Sequence, residues 1–210
     1  MAPFRFLIPP LTAMVIAPLL TLSALPVSLQ AANTDADPHA HHRMMMQNQD
    51  GYARSEHNYQ VPDLEMLDQS GKVVSLKSLL ERDQPVVLNF IFTTCPTVCP
   101  VLSATFSQVQ QQMSDANALM VSISIDPEYD VPEQLQEYAT RYSAQNHWQF
   151  ITGTLKQSVA VQKAFDIYRG NKMNHVPATF LRAGPDAPWV RLEGFTSSDE
   201  LLHEYHQVMN

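Results

Sequence analysis

Cysteine is nearly missing from this chain: 210 residues carry two, Cys95 and Cys99. A bridge over that four-residue spacing would close a very small loop and remove little unfolded-state entropy, so a purely structural disulfide gains little here. No cysteine lies near the N-terminus, which leaves a lipoprotein anchor without an attachment point. Basic residues are scarce too, 13 Lys and Arg against 21 Asp and Glu for a formal charge of −8. That balance argues against nucleic acid as a partner. Only one long apolar run occurs, Phe6 to Val27, and it barely reaches the roughly 20 residues a bilayer needs. Pro9, Pro10, Pro18 and Pro26 interrupt it, which disfavours a continuous spanning helix. There is no internal repeat.

What is present at the N-terminus reads as an export signal over residues 1–32: Arg5, the apolar run, then Ala31-Ala32. Leu29 or Gln30 occupies the place where a small residue usually precedes cleavage, so an uncleaved N-terminal anchor is the alternative, and the one route to a membrane. Removing the segment takes away Arg5 and no acid, and the charge becomes 12 − 21 = −9. The implied compartment is periplasmic and oxidising. Residues 33–58 are polar, lack hydrophobic periodicity and read as a disordered tail. They hold His39, His41, His42, Met44, Met45 and Met46. Imidazole binds Cu(II) and thioether binds Cu(I), so this cluster can capture copper of either valence; a compositionally biased linker is the other reading.

From residue 59 to 210 one compact domain is expected. Val61 to Leu67 and Lys72 to Leu76 flank the turn Asp68-Gln69-Ser70-Gly71, which makes an N-terminal β-hairpin. A short helix follows, and then Val86 to Phe92, an unbroken apolar run suited to a strand covered on both faces. Val101, Leu102, Phe106, Val109 and Met113 recur at helical steps. Leu119 to Ile125 alternates as a strand, Pro132 to about Tyr142 is a helix, Trp148 to Ile151 a short strand, and Thr154 with Gln157 caps a helix to Phe165. Ala178 to Leu181 and Trp189 to Glu193 form a closing hairpin, before a last helix capped by Ser197 and Glu200. The sum is an α/β sandwich, a mixed sheet with helices on both faces.

Asn89-Phe90-Ile91-Phe92-Thr93-Thr94-Cys95-Pro96-Thr97-Val98-Cys99-Pro100 places both thiols where a buried strand hands over to a helix. Pro100 suits the first helical position, so Cys99 is expected near the N-cap and Cys95 in the loop above it. Free N–H groups and the positive end of the helix dipole favour thiolate there.

That cysteine motif, followed by Ser124-Ile125-Asp126-Pro127-Glu128 with Asp130, Pro132 and Glu133, and then by a lone His175 before a strand, resembles the Sco (SenC-like) family. The resemblance covers about Tyr59 to Tyr205. It implies a thioredoxin-like fold and an association with copper delivery to, or thiol reduction at, the binuclear copper site of cytochrome c oxidase. The implied partners are a copper-accepting oxidase subunit and a thiol or disulfide partner protein. Cys95, Cys99 and His175 are then the metal ligands, and Cys95 and Cys99 also the catalytic thiols of any thiol–disulfide oxidoreductase activity. Two thiolates and one imidazole are a soft, low-coordinate set that suits Cu(I) and takes Cu(II) with a further ligand. His57, His147, His203 and His206 are placed less well, in the tail, in another loop or on the last helix.

Val176-Pro177 behind His175 is the dipeptide that thioredoxins and their disulfide-exchanging relatives carry beside their active cysteines, so a cis bond is expected there. A proline packed beside the thiols would help position a partner for exchange. Two activities therefore follow from the same residues: copper delivery, or reduction of a partner's copper-ligating cysteines without metal transfer. Peroxide reduction is a minor third, because Thr-Thr-Cys-Pro-Thr-Val-Cys departs from the peroxidatic pattern. Asp126 and Glu128 read equally as turn residues and as acids steering a cationic partner, whereas Pro127 and Pro132 read as structural.

Overall fold

The structure, a computed structural model, describes residues 51–115 and 117–210. The expected leader and the His39 to Met46 cluster lie outside those residues. Among the described residues eight strands, beginning with β1 (Tyr52–His57), form one sheet in the order β1-β8-β7-β4-β5-β6-β2-β3. At its centre β4 (Val86–Ile91) pairs in parallel with β5 (Leu119–Ser124) and antiparallel with β7 (Ala178–Arg182). All six residues of β4 and all six of β5 are buried, as their continuous apolar and β-branched character requires. On one side β6 (Trp148–Thr152) leads to the hairpin β2 (Glu65–Asp68) and β3 (Val73–Ser75). On the other, β7 pairs with β8 (Trp189–Gly194).

Successive side chains of β4 face opposite layers. Phe90 packs with Phe165 and Phe180, ring centroids 5.6 and 5.7 Å away, beside helix α4 (Leu155–Ala164). Asn89 turns to the other face and accepts from Ser122 Oγ at 2.7 Å. Trp148 on that face donates to the same Ser122 Oγ at 3.0 Å and packs against Phe106 of α2 (Val98–Asp115). Beside α2 runs α3 (Pro132–Arg141), joined by the Ser103 and Tyr138 hydroxyls at 2.8 Å. Short α1 (Leu76–Leu80) precedes β4, and α5 (Ser198–Met209) closes the chain behind a Ser197/Glu200 capping box. Helices therefore cover both faces. No helix among the described residues is long and apolar enough to cross a membrane.

Three expectations change. The tail read as disordered to residue 58 contains β1 (Tyr52–His57), which adds antiparallel to β8 over its whole length. Most of its residues are exposed, so no two-residue hydrophobic alternation marked it; the backbone partner, not the side chains, makes it a strand. Helix α2 starts at Val98, two residues before the expected Pro100, so Cys99, expected near the N-cap, lies inside the first turn. Finally, Val176–Pro177 is trans: no cis peptide bond occurs among the described residues. His175 leaves a 3-10 turn (Lys172–Asn174) in extended conformation, φ −60° and ψ 128°, and Pro177 O accepts the Gly194 N–H at 2.9 Å. The chain thus reaches β7 in the ordinary trans geometry.

Gly194, φ +127°, is where β1 meets β8: a Cβ there would stand 2.5 Å from Gly51 O and 2.8 Å from Tyr52 Cα. Gly194→Ala is expected to lower stability by about 1–3 kcal/mol, read as a lower urea midpoint.

Candidate metal centre

The parallel strands β4 and β5 deliver two loops to the same end of the sheet, and antiparallel β7 begins there. Residues 92–97 follow β4, residues 125–131 follow β5, and His175 precedes β7. Buried Asp130 holds the first two loops together. Its carboxylate accepts the Thr93 N–H at 3.2 Å, the Thr93 hydroxyl at 2.5 Å and the Ser124 hydroxyl at 2.6 Å. Ser124 Oγ in turn accepts the Asp126 N–H at 3.0 Å. Burial pushes the Asp130 carboxyl above its ordinary range, while the hydrogen bonds from Ser124 and Thr93 pull it back. The sequence reading included Asp130 only as part of a motif; nothing along the chain marks it as the buried acid of that loop.

Cys95 and Cys99 are both free thiols and both buried, 8% and 0% exposed. They are brought together: the Cys99 thiol hydrogen-bonds to Cys95, and the Cys99 N–H reaches Cys95 Sγ at 3.3 Å. Cys99 Sγ itself accepts the Phe92 N–H at 3.4 Å. The two sulfurs consequently differ. The hydrogen bond from Cys99, helped by backbone N–H groups of the first helical turn, lowers Cys95 to about 5 against the opposing effect of burial. Donating that bond, together with burial, pushes Cys99 far up. Near neutral pH the pair is one thiolate and one thiol. The helix terminus contributes as expected, but the neighbouring thiol is the larger cause.

His175 is 9% exposed and lies at the correct end of the sheet, yet it does not join the sulfurs. Its Nε2 stands 3.0 Å from Phe90 O, and Nδ1 is buried with no hydrogen-bond partner. Among the described residues no three His, Cys, Asp or Glu side chains form a group able to hold a metal ion. Burial lowers His175 to about 4, so the ring is neutral, the state in which imidazole binds a metal. A cavity of about 480 Å³ borders the ring, walled by Ile125, Leu155 and Ile167 and by the polar Asp126, Asn171 and Lys172.

A family model described as SCO1/SenC matches residues 52–210. The chain belongs to the SCO1/SenC family. Its start at Tyr52 coincides with β1, so the SCO1/SenC unit includes the edge strand. The SCO1 protein homolog of Bacillus subtilis (strain 168) is 37% identical over 99 residues, 46% of this chain and 50% of that protein. The chain thus matches about half the length of that relative. Among solved structures, BsSco, described as having a disulfide switch, is 28% identical with a TM-score of 0.61, covering 75% of this chain and 97% of that one. ScoI of Bradyrhizobium japonicum, solved with copper bound, is 25% identical with a TM-score of 0.56, covering 70% and 98%. The thioredoxin-like sandwich of the Sco structures is the fold of this chain.

Cys99→Ala removes the donor that holds Cys95 low. The iodoacetamide reaction of Cys95, with a midpoint near pH 5 in the parent, is expected to move toward the ordinary thiol value of 9.0. The same shift bears on stability. Between about 5 and the ordinary 9.0 the unfolded chain binds the proton and the folded chain does not, so stability falls as pH drops through that window. Cys95→Ser should flatten this slope in urea titrations run at successive pH values.

Proposed function

We propose that this chain is a copper-binding metallochaperone for the binuclear copper site of cytochrome c oxidase, with Cys95, Cys99 and His175 as its ligands and thiol–disulfide chemistry at the same cysteines. One observation carries the reading: a hydrogen-bonded thiolate–thiol pair stands at the sheet end where a neutral, buried imidazole keeps one nitrogen unpartnered. That donor set fits Cu(I), and such an orphaned buried nitrogen is otherwise costly. Relatives support it in kind, since BsSco is a member of the Sco family of cytochrome c oxidase assembly proteins and ScoI has been solved with copper.

Copper is cargo here. Cys95 meets it already as thiolate, Cys99 must release its proton on binding, and the lost thiol hydrogen bond is replaced by a shared metal. The partners are a copper-accepting oxidase subunit and a thiol or disulfide partner protein. Residues 1–32 would export the chain to the periplasm, soluble or held by that segment, and the His39 to Met46 cluster would concentrate copper.

Full-length protein should retain one copper per chain through a desalting column. His175→Ala should lose most Cu(II) affinity while still forming its Cys95–Cys99 disulfide. Equal copper retention by wild type, Cys95→Ser and Cys99→Ser would refute the proposal, and would leave a reductase acting without metal. A deletion testing the tail should stop before residue 51, because β1 begins at Tyr52.

A further inference from the structure

His175 belongs to a segment, residues 170–175, that touches the rest of the fold at few points. At one end Gly170 has φ +75°, with open space around its Cβ position, a conformation that only glycine adopts freely. The middle is a 3-10 turn closed on itself, in which the Asn171 side chain accepts the Met173 N–H at 2.9 Å. Met173, inside the turn, is 60% exposed. At the other end the imidazole rests on Phe90 O through Nε2 alone.

Lys172 supplies the remaining tie. Its ammonium forms an ion pair with Asp126 and lies 5.5 Å from the centroid of the Phe92 ring. Asp126 is not a loose surface acid: its side chain is 13% exposed and its N–H is held by Ser124 Oγ. Ser124 donates to Asp130, and Asp130 grips Thr93 beside the cysteine loop. One hydrogen-bonded frame therefore carries the thiols and ends in a carboxylate that pins the histidine segment.

We propose that the Asp126–Lys172 ion pair is a latch that keeps His175 on the Phe90 carbonyl, and that its opening, with Gly170 as pivot, frees the imidazole for a metal held by Cys95 and Cys99. This rests on the metal-binding role given to His175 above. Asp126 and Lys172 are positioning residues, neither of them a ligand. Asp126, which reads equally from sequence as a turn residue or a steering acid, takes a third part.

The latch is testable without metal, so its failure is separable from failure of the copper reading. In metal-free full-length protein, carbethoxylation of His175 is followed by peptide mass mapping, with His203 and His206 on α5 as internal references. Lys172→Met and Asp126→Asn should each raise the His175 rate about two- to fivefold, the population change that a partly exposed ion pair sustains. Lys172→Arg should keep the parent rate. Added salt should speed His175 in the parent but not in Lys172→Met, because it screens the pair. Cys95 alkylation should keep its midpoint in all three variants. Unchanged His175 rates in both Lys172→Met and Asp126→Asn overturn the latch, as does an equal acceleration in Lys172→Arg or a shifted Cys95 midpoint, which would report general loosening. If His175→Ala binds copper like wild type while the variants still expose His175, the latch stands and the ligand assignment falls.

Discussion

The hydrogen bonds that converge on Asp130 are the constraint on which the rest of the site depends. A carboxylate with no exposed surface is costly unless its oxygens are satisfied, and here three donors satisfy them, the N–H and hydroxyl of Thr93 in the loop after β4 and the hydroxyl of Ser124 at the end of β5. Meeting that requirement holds the loop after β4 against the loop after β5. The thiols then need no support of their own: Cys99 is carried inward by the first turn of α2 and Cys95 stays above it, within reach of backbone N–H groups.

From that arrangement comes a division of labour between two identical side chains. Cys95 accepts and Cys99 donates, and each makes the other's state more extreme. A thiolate beside a thiol suits metal capture, where the first sulfur binds at once and the second only after giving up its proton. The pair suits disulfide chemistry equally, since one sulfur is ready to attack and the other stays protonated. On the function proposed above, copper handling and thiol chemistry at one centre are two uses of a single electrostatic asymmetry.

His175 has a different constraint. Its ring is buried, neutral and half-satisfied, resting on the Phe90 carbonyl, and the segment that carries it is tied to Asp126 by Lys172. If His175 is the third ligand, as proposed above, metal binding is coupled to a movement of one short segment, because its ring rests on the Phe90 carbonyl and not beside the sulfurs.

Much of this was legible along the chain. The apolar runs at Val86 to Phe92 and Leu119 to Ile125 determined the two central strands, because a strand buried on both faces can hold little else. Capping pairs Thr154/Gln157 and Ser197/Glu200 determined two helix starts, since their side chains satisfy local N–H groups whatever surrounds them. The spacing of Cys95 and Cys99 at a strand-to-helix junction determined that the two sulfurs share one turn. Tertiary structure alone decided the rest. Strand β1 exists through pairing with β8, 132 or more residues away, and its exposed side chains carry no trace of it. The geometry at Pro177 follows from how β7 enters the sheet. Which cysteine is thiolate depends on a thiol–thiol hydrogen bond, and the burial of Asp130 on Thr93, 37 residues distant. Where His175 rests depends on a backbone carbonyl 85 residues away. Local sequence encodes what neighbouring residues do to one another; partners this remote meet only after the sheet has assembled.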